Sequence, residues 1–114
     1  MTKPIIDPIA FENLKQMAGA DFIGELITTF LEDAPQLIQQ MHTSLSVADV
    51  DSFRRAAHSL KSNAASFGAS DLSALAKELE MLGRENKLSE VGDRLKVMED
   101  AYASAAQALK GLNA

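Results

Sequence analysis

The chain reads as an all-α protein: an antiparallel up-down-up-down four-helix bundle with a short additional N-terminal helix. Three observations predict it. Apolar residues recur at alternating steps of three and four along most of the 114 residues, the spacing of helices that bury one face. No segment alternates apolar and polar residues over a useful length, so strands find no support. Six glycines and three prolines leave few break points. The connections are therefore short, and consecutive helices become antiparallel neighbours. The length suits one domain, residues 1–114, with a single sizeable core.

The first helix is expected over about residues 7–17, with Asp7 as N-cap and Pro8 at the first helical position, where its missing N–H costs nothing. Ala18-Gly19-Ala20 breaks it. The second is predicted over about residues 21–46 on Phe22, Ile23, Leu26, Ile27, Phe30, Leu31, Ala34, Leu37, Ile38, Met41 and Leu45. Pro35 interrupts this set, and an interior proline kinks or ends a helix. Because the stripe continues through it in phase, one kinked helix is expected rather than two abutting ones.

Asp49 should cap the third helix, about residues 50–67, with Asp51 in its first turn complementing the dipole. Its stripe is Val50, Phe53, Ala57, Leu60, Ala64 and Phe67, and Gly68 supplies a left-handed residue to end it. Ser70 is expected to cap a fourth helix, about residues 71–86, on Leu72, Leu75, Ala76, Leu79 and Leu82. Ser89 is expected to open the last, about residues 90–111, on Val91, Leu95, Met98, Tyr102, Ala105, Leu109 and Leu112.

Composition narrows the function. With no cysteine, disulfides, thiol chemistry and cysteine-based zinc sites are excluded. The start, Met1 to Pro8, lacks the apolar run of a signal peptide, and no stretch approaches a membrane span. A cytoplasmic protein without membrane attachment is the expectation. A net charge of −5 argues against nucleic-acid binding. The cations are uneven, however: Arg54, Arg55 and Lys61 gather around His58.

His58 lies roughly 130° from the centre of the apolar stripe on the third helix, on the wet side. Its helical neighbours are Arg54, Lys61, Ser62 and Ala65, two cations and two small side chains. Nearby cations disfavour the imidazolium, which would keep the ring neutral and nucleophilic, and they would favour a phosphoryl group once attached. Ser62 and Ala65 leave space for a partner. His42 has no cation within a turn and is expected to be a surface or boundary histidine; the five methionines are expected to be core filler and surface scatter.

His58, Leu60, Lys61, Gly68, Leu72, Leu79 and Glu80 fall at the spacings of the histidine-containing phosphotransfer (HPt) domain, which this chain resembles over residues 54–80 in motif and nearly throughout in helix plan. The resemblance implies a phosphorelay intermediate. A phosphoryl group would pass from a receiver aspartate of a hybrid sensor histidine kinase to Nε2 of His58, and then to the receiver aspartate of a response regulator. Lys61 matches the lysine that steadies the phosphohistidine, with Arg54 or Arg55 assisting. Glu80 matches a polar residue that approaches the histidine from the next helix, where it would orient Nδ1. Ser62 stands where the family usually has glycine, which narrows the approach.

The implied docking surface comprises Asp51, Arg54, Arg55, Ser62 and Ala65, with contributions from the second helix. No cofactor or metal is expected on this chain, since magnesium would sit in the receiver's acidic pocket, and a monomer is expected. Autophosphorylation from ATP is not. A metal-binding bundle is disfavoured because Arg55 and Gln39, not glutamates, precede His58 and His42 by three. A sensor-kinase dimerisation domain would carry an acidic residue after the histidine, where this chain has Ser59. The remaining alternative is a receiver-binding interaction module without productive transfer.

Overall fold

In the computed structural model, which describes residues 4–113, five α-helices follow one another: α1 (Pro8–Ala18), α2 (Ile23–Ser46), α3 (Val50–Ser66), α4 (Ser70–Arg84) and α5 (Arg94–Asn113). A single 3₁₀ turn, Leu88–Glu90, precedes the last. Packing runs α2 on α3, α3 on α4, α4 on α5 and α5 back on α2, which closes a four-helix bundle; α1 rests on α2 and α3. The α3–α4 seam is the most extensive of these contacts.

Two caps lie where the sequence places them. Asp7 accepts a hydrogen bond from the Ile9 amide at 3.0 Å, and Asp49 accepts from the Ser52 amide at 3.2 Å and the Ser52 hydroxyl at 2.8 Å. Each satisfies an amide that the helix start leaves without a partner. Pro35 lies inside an uninterrupted α2. Its missing N–H would have bonded the Leu31 carbonyl, and that carbonyl instead faces the Tyr102 hydroxyl of α5, which donates to it at 3.4 Å. Tyr102 thus covers the gap that the proline opens.

Four expectations are corrected. Ser70 does not cap α4: it is the first helical residue, and Ala69 precedes it without a side-chain cap. The reason is the closure of α3 around Gly68. The Ala69 amide bonds the Ala64 carbonyl and the Gly68 amide bonds that of Ala65, the paired bonds of a Schellman turn, so the chain re-enters helix at once. Ser89 does not open α5 either, because Gly92, at φ +51°, cannot continue a right-handed helix and delays α5 until Arg94. Phe22 and Leu112 are exposed rather than part of the stripe. Phe22 precedes the first turn of α2 and Leu112 lies in the last turn of α5, so both fall at the margins of the core.

Gly68 is required twice over. Its φ of +80° is left-handed, and a Cβ there would sit 2.9 Å from the Asp7 carbonyl oxygen. Its own carbonyl accepts from the Asp7 amide at 2.8 Å, which pins the start of α1 against the α3–α4 turn. Beneath lies one core in which Phe53, Met41, Leu60, Leu79, Met98 and Leu109 are fully buried. Phe30 links its layers, with ring centroids 5.0 Å from Phe67 and 6.0 Å from Tyr102. Met41 and Met98 are core filler, whereas Met17 and Met81 are exposed.

Candidate functional site

The rotation of α3 is set by Phe53, Ala57, Leu60 and Ala64, none of which retains any accessible surface. With that face held inward, His58 projects outward and 55% of its side chain is exposed. Across the seam, Gly83 lets α4 come close: a Cβ there would lie 3.2 Å from the Arg54 Cβ and 3.4 Å from the Phe53 ring. One turn before Gly83, Glu80 points at α3 from a buried position, with 3% of its side chain exposed.

These two placements bring Glu80 to the histidine. Its Oε2 lies 2.8 Å from Nδ1 of His58, and its Oε1 lies 2.8 Å from the Lys61 ammonium. A second cation, Arg84, donates to Oε2 from Nη2 at 3.0 Å. Burial pushes the Glu80 carboxyl up, but hydrogen bonds from Lys61 and His58, reinforced by the charge of Lys61, hold it below the usual carboxylate range. The carboxylate is thus ionised at neutral pH, and in the neutral form of the ring the Nδ1–H that donates to it leaves the lone pair on Nε2. Among the described residues no group bonds Nε2. A half-exposed imidazole held in that tautomer is a nucleophile presented to solvent.

The depressed Glu80 carboxyl has a consequence for stability. A group whose folded pKa is lowered adds stability above its unfolded value, about 4.3, and that contribution is lost as pH falls through the folded value. Glu80→Gln should therefore lower stability at pH 7, by about 1–3 kcal/mol. The gap to wild type should close as the medium is acidified below pH ~4. Urea titrations across that range check it; a gap that stays constant with pH would contradict the assignment.

Not every expected residue joins the ring. Arg54 and Arg55 both turn to Asp51, at 2.7 Å from its Oδ1 and Oδ2 respectively. The hydrogen bond from Arg54 and the charge of Arg55 hold the Asp51 carboxyl below its usual range. The expected cationic surround of His58 is therefore corrected: two of its three cations are engaged elsewhere, and the charged group in direct contact with the ring is a carboxylate. Ser62 and Ala65 lie exposed one and two turns beyond His58 on α3. His42 is also exposed and contacts Glu99 of α5.

Sequence reasoning missed Arg84. A signal existed, since it follows Glu80 by four residues on one helix and acid–base pairs at that spacing meet. It could be read only by treating Glu80 as a centre in its own right.

The Hpt domain family model matches residues 25–109 of the chain. Among solved structures, the crystal structure of histidine-containing phosphotransfer protein B from Pseudomonas aeruginosa PAO1 is similar with a TM-score of 0.91 and 26% sequence identity, covering 98% of this chain and 96% of that one. Comparison with curated proteins finds no match.

Proposed function

Because the chain belongs to the Hpt domain family, we propose that it is a monomeric cytoplasmic phosphorelay intermediate that takes a phosphoryl group from one receiver aspartate onto His58 and gives it to another. The observation that supports this most is the His58–Glu80 contact, 2.8 Å from Nδ1 to a buried carboxylate. It leaves Nε2 of a half-exposed ring as the reacting atom.

In this reading the Nε2 lone pair attacks phosphorus of the receiver's aspartyl phosphate. The P–O bond breaks, and its electron pair returns to the aspartate carboxylate. The ring gains positive charge as the P–N bond forms, and Glu80, accepting from Nδ1–H, offsets it without taking the proton. Return of the pair to Nε2, as a second receiver carboxylate attacks phosphorus, completes the relay. Lys61, beside His58 on α3, balances the phosphoryl oxygens. Magnesium is held by the receiver's acidic pocket, and the chain acts as a carrier without ATP-dependent autokinase activity.

Docking centres on the exposed face of α3 around His58, with Asp51, Arg54, Arg55, Ser62 and Ala65. Since a relay contact must release, the interface is expected to bury about 1,200 Å² or less. Arg54 and Arg55, already paired with Asp51, act chiefly by steering an acidic receiver face.

The test is transfer itself. The protein is incubated with magnesium and a ³²P-labelled receiver, and the chemical stability of any label it acquires is measured. An acid-labile, alkali-stable label that a second, unlabelled receiver discharges is expected. Label confined to the receivers would reject the proposal. Lys61→Ala should slow labelling roughly tenfold or more, the worth of a hydrogen bond to a charged group.

A further inference from the structure

We propose that Arg84 is a positioning residue: it holds the Glu80 carboxylate so that Lys61 is free to serve the phosphoryl group. The inference rests on the phosphocarrier reading and concerns how one buried acid is shared among three partners.

The two oxygens of Glu80 are not equivalent. Oε1 is met by Lys61 at 2.8 Å, whereas Oε2 is met by both Nδ1 of His58 and Nη2 of Arg84, at 2.8 and 3.0 Å. In the unphosphorylated protein the lysine that should meet the phosphoryl group is thus already engaged. A phosphoryl group on Nε2 brings negative charge to the surface of α3, one turn from Lys61. An ammonium that swings out to it gives up its hold on Oε1. Without another cation that departure would strand a buried carboxylate next to newly added negative charge, and Glu80 would hold Lys61 back.

Arg84 removes the conflict. It is anchored on α4, the helix that carries Glu80, so its hold does not depend on α3 or on the ring. Its side chain is 59% exposed and free to adjust. The guanidinium is a planar fork with several N–H donors, of which one is used on Glu80. A second can take Oε1 when Lys61 leaves. The carboxylate then stays charged and stays aimed at Nδ1–H in both states. Lysine at this position supplies charge but no fork, and alanine supplies neither.

Phosphoramidate, a small anionic phosphoryl donor, reports on this without any receiver. The initial rate of His58 labelling is measured for wild type, Arg84→Ala, Arg84→Lys, Glu80→Gln and the Glu80→Gln/Arg84→Ala pair, each below its melting temperature. Arg84→Ala should label roughly tenfold more slowly, and Arg84→Lys should recover part of that loss. In the Glu80→Gln background, where no buried charge needs a partner, Arg84→Ala should change nothing further. An unaltered rate in Arg84→Ala, or an equal fall in both backgrounds, would overturn the proposal, the latter showing that Arg84 acts on the phosphoryl group directly or on the fold. Labelling by phosphoramidate but by no phosphorylated receiver would reject the relay function and leave this inference standing.

Discussion

Replacement of His58 by glutamine is expected to abolish phosphoryl uptake while leaving the bundle folded. The ring lies outside the apolar face of α3, and more than half of it is exposed, so its removal opens no cavity. What it does touch is Glu80. A glutamine amide can still donate toward Oε2, so the buried carboxylate keeps a neutral partner as well as Lys61 and Arg84. The change in stability should therefore stay within about 1 kcal/mol. The amide has no nucleophilic nitrogen, because its lone pair is delocalised into the carbonyl, and no covalent intermediate can form.

The measurement is ³²P label on wild type and variant after incubation with a phosphorylated receiver and magnesium, alongside thermal melts of both. Label should fall to background in His58→Gln with a near-native melting curve. Label persisting in the variant would move the site elsewhere, and the other exposed imidazole, His42, would be the first place to look. His42→Gln is expected to retain full labelling, since its carboxylate partner Glu99 lies on α5 and, among the described residues, forms no close ion pair with a lysine or arginine as Glu80 does.

How far this site could be read from the sequence depends on which interactions are local. Asp7 and Asp49 were legible as caps because a cap acts on its own helix, within three residues. The outward direction of His58 was legible because helical phase is a property of one segment. The Schellman closures were only half legible. Gly68 announces its left-handed turn, but Ala48 and Asn86, at φ +57° and +58°, adopt the same region without a glycine to mark them. Ser70 and Ser89 misled for a related reason: serine is compatible with a cap, yet Gly68 and Gly92 decide where the chain turns.

The surroundings of His58 were the least legible part. Seen from α3 alone, Arg54 and Lys61 flank the ring and the site looks cationic. In three dimensions Asp51 draws off both arginines, and Glu80 arrives from a helix 22 residues later. The family resemblance located Glu80, but the depth of its burial and its third partner, Arg84, depend on how closely α4 approaches α3. That distance is set by Gly83 against Arg54 and Phe53, and nothing in the spacing of the apolar residues reports it.

Phe53→Ala should therefore produce a large loss of stability, about 3–5 kcal/mol. The ring has no accessible surface and is the largest of the fully buried side chains. It lies against Gly83, which has no side chain of its own to move into the space. Against a total of about 5–15 kcal/mol for a domain this size, such a loss should shift the urea midpoint by roughly 1.5–3 M with an unchanged slope. Leu109→Ala, equally buried but on α5, should cost a comparable ~2–5 kcal/mol. The two should differ in function. The void left by Phe53 can be relieved only by movement of α3 and α4 at the level of Gly83, one turn from Glu80. That movement would disturb the His58–Glu80 contact and slow labelling even in molecules that remain folded. Leu109→Ala leaves the α3–α4 seam intact and should label at the wild-type rate once corrected for the folded fraction. Equal labelling per folded molecule in both variants would show that the seam does not position the histidine, and that the close approach at Gly83 matters for stability alone.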